Sequence, residues 1–127
     1  MKVFDSSAVL AIIFREPGAE EAARLVEEGD GVISSVNHSE IISKLLDRKL
    51  KPADIAEICD GFPIEIVPFT LEHARIAGQL RDTTRSVGLS LGDRCCLALA
   101  RSLQGATVIT TDKVWKTLKA FDVRLIR

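Results

Sequence analysis

The sequence predicts an α/β domain of three layers, with a central, mostly parallel sheet of four to five strands and helices on both faces. Three observations carry that prediction. Short runs rich in β-branched residues alternate, along the whole chain, with longer segments whose apolar residues recur every three or four positions. A strand, a helix and a further strand return the chain in the same direction, so neighbouring strands are parallel. The 127 residues, 46% hydrophobic and 28% charged, suffice for a single domain, residues 1–127, with its own core.

Each element follows from local signals. A first strand over about Lys2–Asp5 leads into a helix carrying Val9, Leu10, Ile13 and Phe14, which Pro17-Gly18 breaks. "AEEAARLVEE" forms a second helix with Ala22, Leu25 and Val26 on one face, ended by Gly29 and Gly31; "GVISS" is the second strand. A third helix spans about Val36 to Lys49 with Ile41, Ile42, Leu45 and Leu46 inward. Pro52 suits the first turn of a fourth that runs to about Asp60. "PIEIVPF" is the third strand, and Thr70 caps a long helix after it. "LSLGDRCCLALARSL" is the most apolar helix, capped by Ser90. "ATVITT" is a fourth strand, "DKVWKTLKAF" a final helix and "VRLI" a terminal strand. No internal repeat, low-complexity segment or linker interrupts the series.

Composition excludes several classes. No apolar run approaches the roughly 20 residues that cross a bilayer. An acid already at Asp5 falls too early for the apolar region of a signal peptide, so a cytoplasmic protein is expected. Cys59, Cys95 and Cys96 have no metal-ligand spacing, and adjacent cysteines on a helix point to different sides; reduced, small packing residues are expected. A formal net charge of −1 excludes a globally basic nucleic-acid binder, though not a local basic rim.

Acids gather at the strand ends. Ligands of an open parallel sheet bind at the carboxyl ends of its strands. Asp5 ends the first strand and Asp112 the fourth, and Glu40 follows the second by about one helical turn. Asp93 lies in the first turn of the helix that Ser90 caps. Each has a structural alternative. Asp5 and Asp112 suit N-caps, and Asn37-His38-Ser39-Glu40 and Ser90-Leu91-Gly92-Asp93 both have capping-box spacing. The geometry of the elements leaves cap and site open for all four.

The residues around these acids resemble a known family. "VFDSSAVLAII", "ISSVNHSEI", "LSLGDRCCLALA" and "VITTDKVW" are similar to the four signature blocks of PIN-domain ribonucleases, and within them most to the VapC toxins of toxin–antitoxin pairs. The resemblance implies a three-layer PIN-like fold. It implies that Asp5, Glu40, Asp93 and Asp112 hold Mg²⁺ or Mn²⁺. It also implies that Ser6, Thr110 and Thr111 match hydroxyl positions beside the acids, and Asn37 a polar position before the second. Trp115 and Lys116 occupy the region where some PIN domains carry a further acid. The implied partners are an RNA substrate, a cognate antitoxin and a second copy of the chain.

That chemistry suits these residue types. Hard divalent cations prefer oxygen ligands, and a dication relieves the mutual repulsion of crowded carboxylates. A metal-activated water then hydrolyses the phosphodiester, so no side-chain nucleophile is required. Ser6 and Thr111 either orient a carboxylate or water, or cap backbone. Arg94, Lys113 and the stretch Lys44, Arg48, Lys49 and Lys51 either meet RNA or are solvated helix charges. Ile41, Ile42, Leu45, Leu46, Ile55, Ile58 and Phe62 are many apolar positions for two short helices, which fits either a partner-covered surface or a larger core. His38 and His73 read as surface or helix-end histidines rather than ligands, and Trp115 as core. Two other functions are weighed. A haloacid-dehalogenase-type phosphatase wants an acid where Ser7 stands. A non-catalytic PIN module that binds RNA or a partner protein retains ligands without turnover.

Overall fold

Side-chain alternation in the strands fixes the layering. In a computed structural model describing residues 1–127, β1 (Lys2–Phe4), β2 (Gly31–Ser34), β3 (Glu65–Val67), β4 (Thr107–Thr110) and β5 (Asp122–Leu125) form one sheet in the order β3-β2-β1-β4-β5. Every pairing is parallel, with Val3 opposite Val32 and Val108, and Phe4 opposite Ile109. Successive residues of a strand face opposite sides of the sheet. Phe4, Ile33 and Ile109 therefore pack into one core, and Val3, Val32 and Val108 into another.

Helices divide between the two cores as the apolar stripes require. Under Phe4 lie α1 (Ser6–Ile13), α2 (Ala19–Glu27), α3 (Ser35–Asp47) and α4 (Pro52–Asp60), through Ala8, Val9, Leu25, Ile41, Leu45 and Ile55. On the other face, α5 (Leu71–Thr83) contributes Leu80, and α6 (Leu91–Ser102) contributes Cys96, Leu97 and Leu99, beside a fully buried Trp115. Cys95, one residue round α6, instead packs with Ala77 and Ala98. All three cysteines are free thiols.

Most of the apolar surplus on α3 and α4 is core. Ile41, Leu45 and Ile55 are buried, and Ile42, Ile58 and Phe62 pack against the same cluster. Leu46 alone of that set is largely exposed. No helix is long and apolar enough to cross a membrane.

Leu46, expected to face inward, points to solvent from α3, and two further expectations need correction. The segment after Asp112 is a five-residue 3₁₀ turn, Lys113–Thr117, not a ten-residue helix. β5 must begin by Asp122 to pair with β4, which leaves too little chain for more. The proposed capping box Asn37–Glu40 does not form either. Ser34 at the end of β2 is the N-cap, accepting from the Val36 amide, so α3 starts directly from the strand and Asn37 lies within it. The box Ser90–Asp93 does form, as does one between Thr70 and His73.

Candidate active site

Strand order reverses beside β1. The chain builds β1, β2 and β3 outward on one side, then returns to lay β4 and β5 on the other. The crevice between the carboxyl ends of β1 and β4 is the place where open α/β sheets bind ligands. Asp5 lies there, buried, directly after β1.

Asp5 is held by hydroxyls from two elements. Ser7 Oγ donates to Asp5 Oδ2 at 2.6 Å and Thr110 Oγ1 to the same oxygen at 3.0 Å. These hydroxyls are in turn fixed by backbone amides beyond β4: Thr111 N–H donates to Ser7 Oγ at 3.2 Å, and Asp112 N–H to Thr110 Oγ1 at 3.1 Å. Thr111 thus enters through its backbone, and Thr110 supplies the hydroxyl. Ser7, where a haloacid-dehalogenase-type phosphatase wants an acid, is a hydrogen-bond donor to Asp5.

Burial raises the Asp5 carboxyl to about 6, an effect opposed by Ser7 and Thr110 and reinforced by the charges of Asp93 and Glu40. The same three acids act on Cys96, whose thiol is pushed well up, first by its own burial and then by Asp5, Asp93 and Glu40. Asp5, Asp93 and Glu40 therefore share one electrostatic neighbourhood, with Cys96 packed beneath it.

Glu40 is placed by three elements. Ser6 Oγ donates to Glu40 Oε1 at 3.1 Å, and Asn37 Nδ2 to the same oxygen at 2.7 Å. Asn37 Nδ2 also donates to the Gly92 carbonyl at 3.0 Å, which ties α3 to α6. Both contacts are acceptors, so the amide nitrogen must face them, and Asn37 Oδ1 is left buried without a partner. Gly92 is required here for space: a Cβ on it would lie 2.2 Å from Glu40 Oε2. Sequence reasoning missed Gly92 and Ser7, and the only available signal was their adjacency to Asp93 and Ser6.

Asp93 and Asp112 each perform the cap. Asp93 Oδ2 accepts from the Ser90 amide at 2.9 Å, and Asp112 Oδ1 accepts from the Val114 amide at 3.1 Å. Asp93 is half-buried, whereas Asp112 is exposed and is not among the charges that raise Asp5. A pattern unites the four acids. One oxygen of each carboxylate accepts hydrogen bonds from the chain, and Asp5 Oδ1, Glu40 Oε2, Asp93 Oδ1 and Asp112 Oδ2 accept none.

The donor set fits a hard divalent cation in chemistry: it is oxygen only, anionic and partly withdrawn from water. No three Asp, Glu, His or Cys side chains stand close enough to enclose an ion by themselves.

The remaining sequence candidates divide. Lys113 is exposed, as are Lys44, Arg48, Lys49 and Lys51. Arg48 lies over the Phe14 ring, and Arg94 bonds to the Ala77 carbonyl. His73 is buried and caps α5, and His38 is half-buried.

The family model for the PIN domain matches residues 2–120. The chain belongs to the PIN domain family. No curated protein sequence matches it. Among solved structures, this PIN domain is similar in fold to a DNA-bound VapBC from Salmonella typhimurium, at a TM-score of 0.76 and 19% identity, over 99% of this chain and 98% of that one. It is likewise similar to a toxin–antitoxin complex from Klebsiella pneumoniae, at a TM-score of 0.73 and 18% identity, over 100% and 98% of the two chains. A third is VapBC2 from Rickettsia felis bound to a promoter DNA fragment, at a TM-score of 0.74 and 19% identity, over 98% and 97%. Membership excludes the phosphatase reading of Asp5, and each of these likenesses covers 98% or more of this chain.

Proposed function

We propose that this PIN domain is a Mg²⁺- or Mn²⁺-dependent endoribonuclease and the toxin of a toxin–antitoxin pair. One observation carries the reading: at the switch point of a parallel sheet the buried Asp5 feels the charges of Asp93 and Glu40, and each of the three has a carboxylate oxygen that accepts no hydrogen bond from the chain. Asp5, Glu40, Asp93 and Asp112 would hold the ion. A cation bound there supplies Lewis acidity for hydrolysis of a phosphodiester.

The chain's own residues set the geometry. Ser7 and Thr110 hold one face of Asp5, so that Oδ1 alone is presented. Ser6 and Asn37 do the same for Glu40 and turn Oε2 toward Gly92. Burial of Asp5 removes competing water and makes its unneutralised charge unfavourable, which favours a cation over an empty carboxylate cluster. The solved structures of similar fold named as VapBC and toxin–antitoxin complexes support an antitoxin partner, one presenting Arg or Lys to the carboxylates. We extend the same reading to a homodimer. Co-purification from the native operon tests the antitoxin, and the molar mass of the chain in solution tests the homodimer.

The decisive experiment pairs melting with cleavage. Chelator-treated protein should gain thermal stability with millimolar Mn²⁺, by about 2.7 kcal/mol at a hundred times the dissociation constant, and should then cut RNA. Asp5→Asn/Asp112→Asn should do neither. An equal shift in the double variant would refute the quartet as the metal site. A binding-only module is favoured by one observation, that no three acids enclose an ion unaided. Binding of RNA or of a protein partner, with no melting shift on adding Mn²⁺ and no cleavage, would establish it instead.

A further inference from the structure

Asp112 is exposed, yet the two amides that lead into it are tied to the end of β1. Thr111 N–H donates to Ser7 Oγ at 3.2 Å, and Asp112 N–H to Thr110 Oγ1 at 3.1 Å. Each hydroxyl passes its own proton to Asp5 Oδ2, Ser7 at 2.6 Å and Thr110 at 3.0 Å. A hydroxyl has one proton to give, so the 3.3 Å approach of Ser7 Oγ to Thr110 Oγ1 is a contact rather than a donated bond. The direction of the whole network is thereby set: amides beyond β4 donate to hydroxyls, and hydroxyls donate to the carboxylate that follows β1.

Ser7 and Thr110 are not equivalent in it. Asp5 Oδ2 has both donors, so it keeps Thr110 if Ser7 is lost. Thr110 is in turn held by the sheet, its carbonyl accepting from Ile126 N–H at 3.2 Å. Thr111 N–H has Ser7 Oγ as its one acceptor in the chain. Beyond it the bonds of the turn are local, Asp112 Oδ1 accepting from Val114 N–H and the Asp112 carbonyl from Trp115 N–H. Those bonds fix the shape of the turn, and the buried Trp115 anchors its far side in the core. The bond that joins its near side to α1 is the one from Thr111 to Ser7. Loss of Ser7 therefore falls on the turn that carries Asp112 more than on Asp5.

We propose that Ser7 is a positioning residue for Asp112: by accepting the Thr111 amide while donating to Asp5, it holds the turn after β4 against α1, so that the acids of β1 and β4 serve one divalent cation. The proposal rests on the metal reading above and goes beyond it by giving Ser7 the placement of a second acid, more than a hundred residues away in sequence. Ser6, its neighbour in α1, has a separate task, since its hydroxyl donates to Glu40. Two adjacent serines at the start of one helix thus reach two different acids.

Two measurements on the full chain test it. The first needs no metal: amide hydrogen exchange in chelator-treated protein, followed residue by residue by NMR. Thr111 should lose its protection in Ser7→Ala and keep it in Ser6→Ala. The second is calorimetric titration with Mn²⁺. Ser7→Ala should weaken binding by about 10–100-fold, as loss of a group that orients a ligand does, and Ser7→Thr, which keeps the hydroxyl, should retain it. In an Asp112→Asn background Ser7→Ala should add little, because the acid it places is already gone. Should Ser7→Ala fail to fold, Ser7→Cys fills the same place with a weak acceptor and is read in the same way. Unchanged protection of Thr111, or an equal loss in Ser6→Ala, overturns the proposal. A loss of Mn²⁺ affinity that is as large in the Asp112→Asn background also overturns it and confines Ser7 to Asp5. A wild type that binds no Mn²⁺ overturns the metal reading itself, and with it the proposal.

Discussion

Replacing Asp5 with asparagine should stabilise the metal-free protein, although Asp5 is the most buried acid in the chain. The Asp5 carboxyl has an ordinary value of 3.8 and lies at about 6 in the folded protein. The folded chain therefore holds this proton more tightly than the unfolded chain. Between those two values folding takes up a proton, so stability is greatest below the lower one and falls as pH rises through the window. Above pH 6 the full difference is present, about 3 kcal/mol from about 1.4 kcal/mol for each pK unit. Asparagine removes that charge with little change of shape. Its carbonyl oxygen replaces Oδ2 and still accepts from Ser7 and Thr110, while its amide replaces Oδ1, which accepts nothing.

The assay is thermal melting of chelator-treated wild type and Asp5→Asn between pH 4 and pH 8. At the alkaline end the variant should melt higher by roughly 12 °C, taking about 4 °C for each kcal/mol in a domain of this size. At the acid end the two should converge. Saturating Mn²⁺ should shrink or reverse the difference at pH 8, because only the wild type gains from it. A difference that does not change with pH, or a variant that melts lower at pH 8, would refute the argument that burial and neighbouring acids strain this carboxylate.

Gly92→Ala should separate stability from activity. Alanine is the better helix former by about 1 kcal/mol, and the atom it displaces is the end of a flexible side chain, so melting should hold or rise while cleavage of RNA is lost with Glu40 moved. Ser90→Ala should lower stability by about 0.5–2 kcal/mol through loss of the cap on the Asp93 amide, with cleavage retained below the melting temperature. Asp93→Asn should abolish cleavage while still accepting from the Ser90 amide, and a variant that melts early yet cuts RNA would remove Asp93 from the site.

The sequence made legible what depends on local pattern. Alternation of apolar residues placed the strands near Val3, Val32 and Val108, and the stripes at Leu25, Ile41 and Leu97 placed the helices. What it missed depends on pairing between segments distant in sequence. Thr110 and Thr111 are equivalent hydroxyls until the sheet register sets Phe4 opposite Ile109, which brings Asp5 beside Thr110. Gly92 reads as an ordinary helix-start glycine until α3 brings Glu40 against it. The capping-box spacing of Asn37 and Glu40 was misleading for a related reason. A strand that passes into a helix without a loop needs its cap on the strand's last residue, Ser34, and Asn37 is then free to bridge α3 to α6.

Cap and ligand are not competing assignments for these acids, because a carboxylate has two oxygens with separate tasks. At Asp93 and Asp112 one oxygen satisfies amides that the start of a helical turn leaves without partners, which fixes the side chain in place. The other oxygen then presents charge in a defined direction with no further ordering cost. At Asp5 and Glu40, which cap nothing by their side chains, hydroxyls and an amide perform the same fixing. Helix beginnings at the carboxyl edge of a parallel sheet thus provide an orienting donor and a place for an acid together. That explains why Asp93 and Asp112 stand at the starts of helical turns in this sequence. It also explains why counting caps alone cannot decide whether such a carboxylate binds an ion.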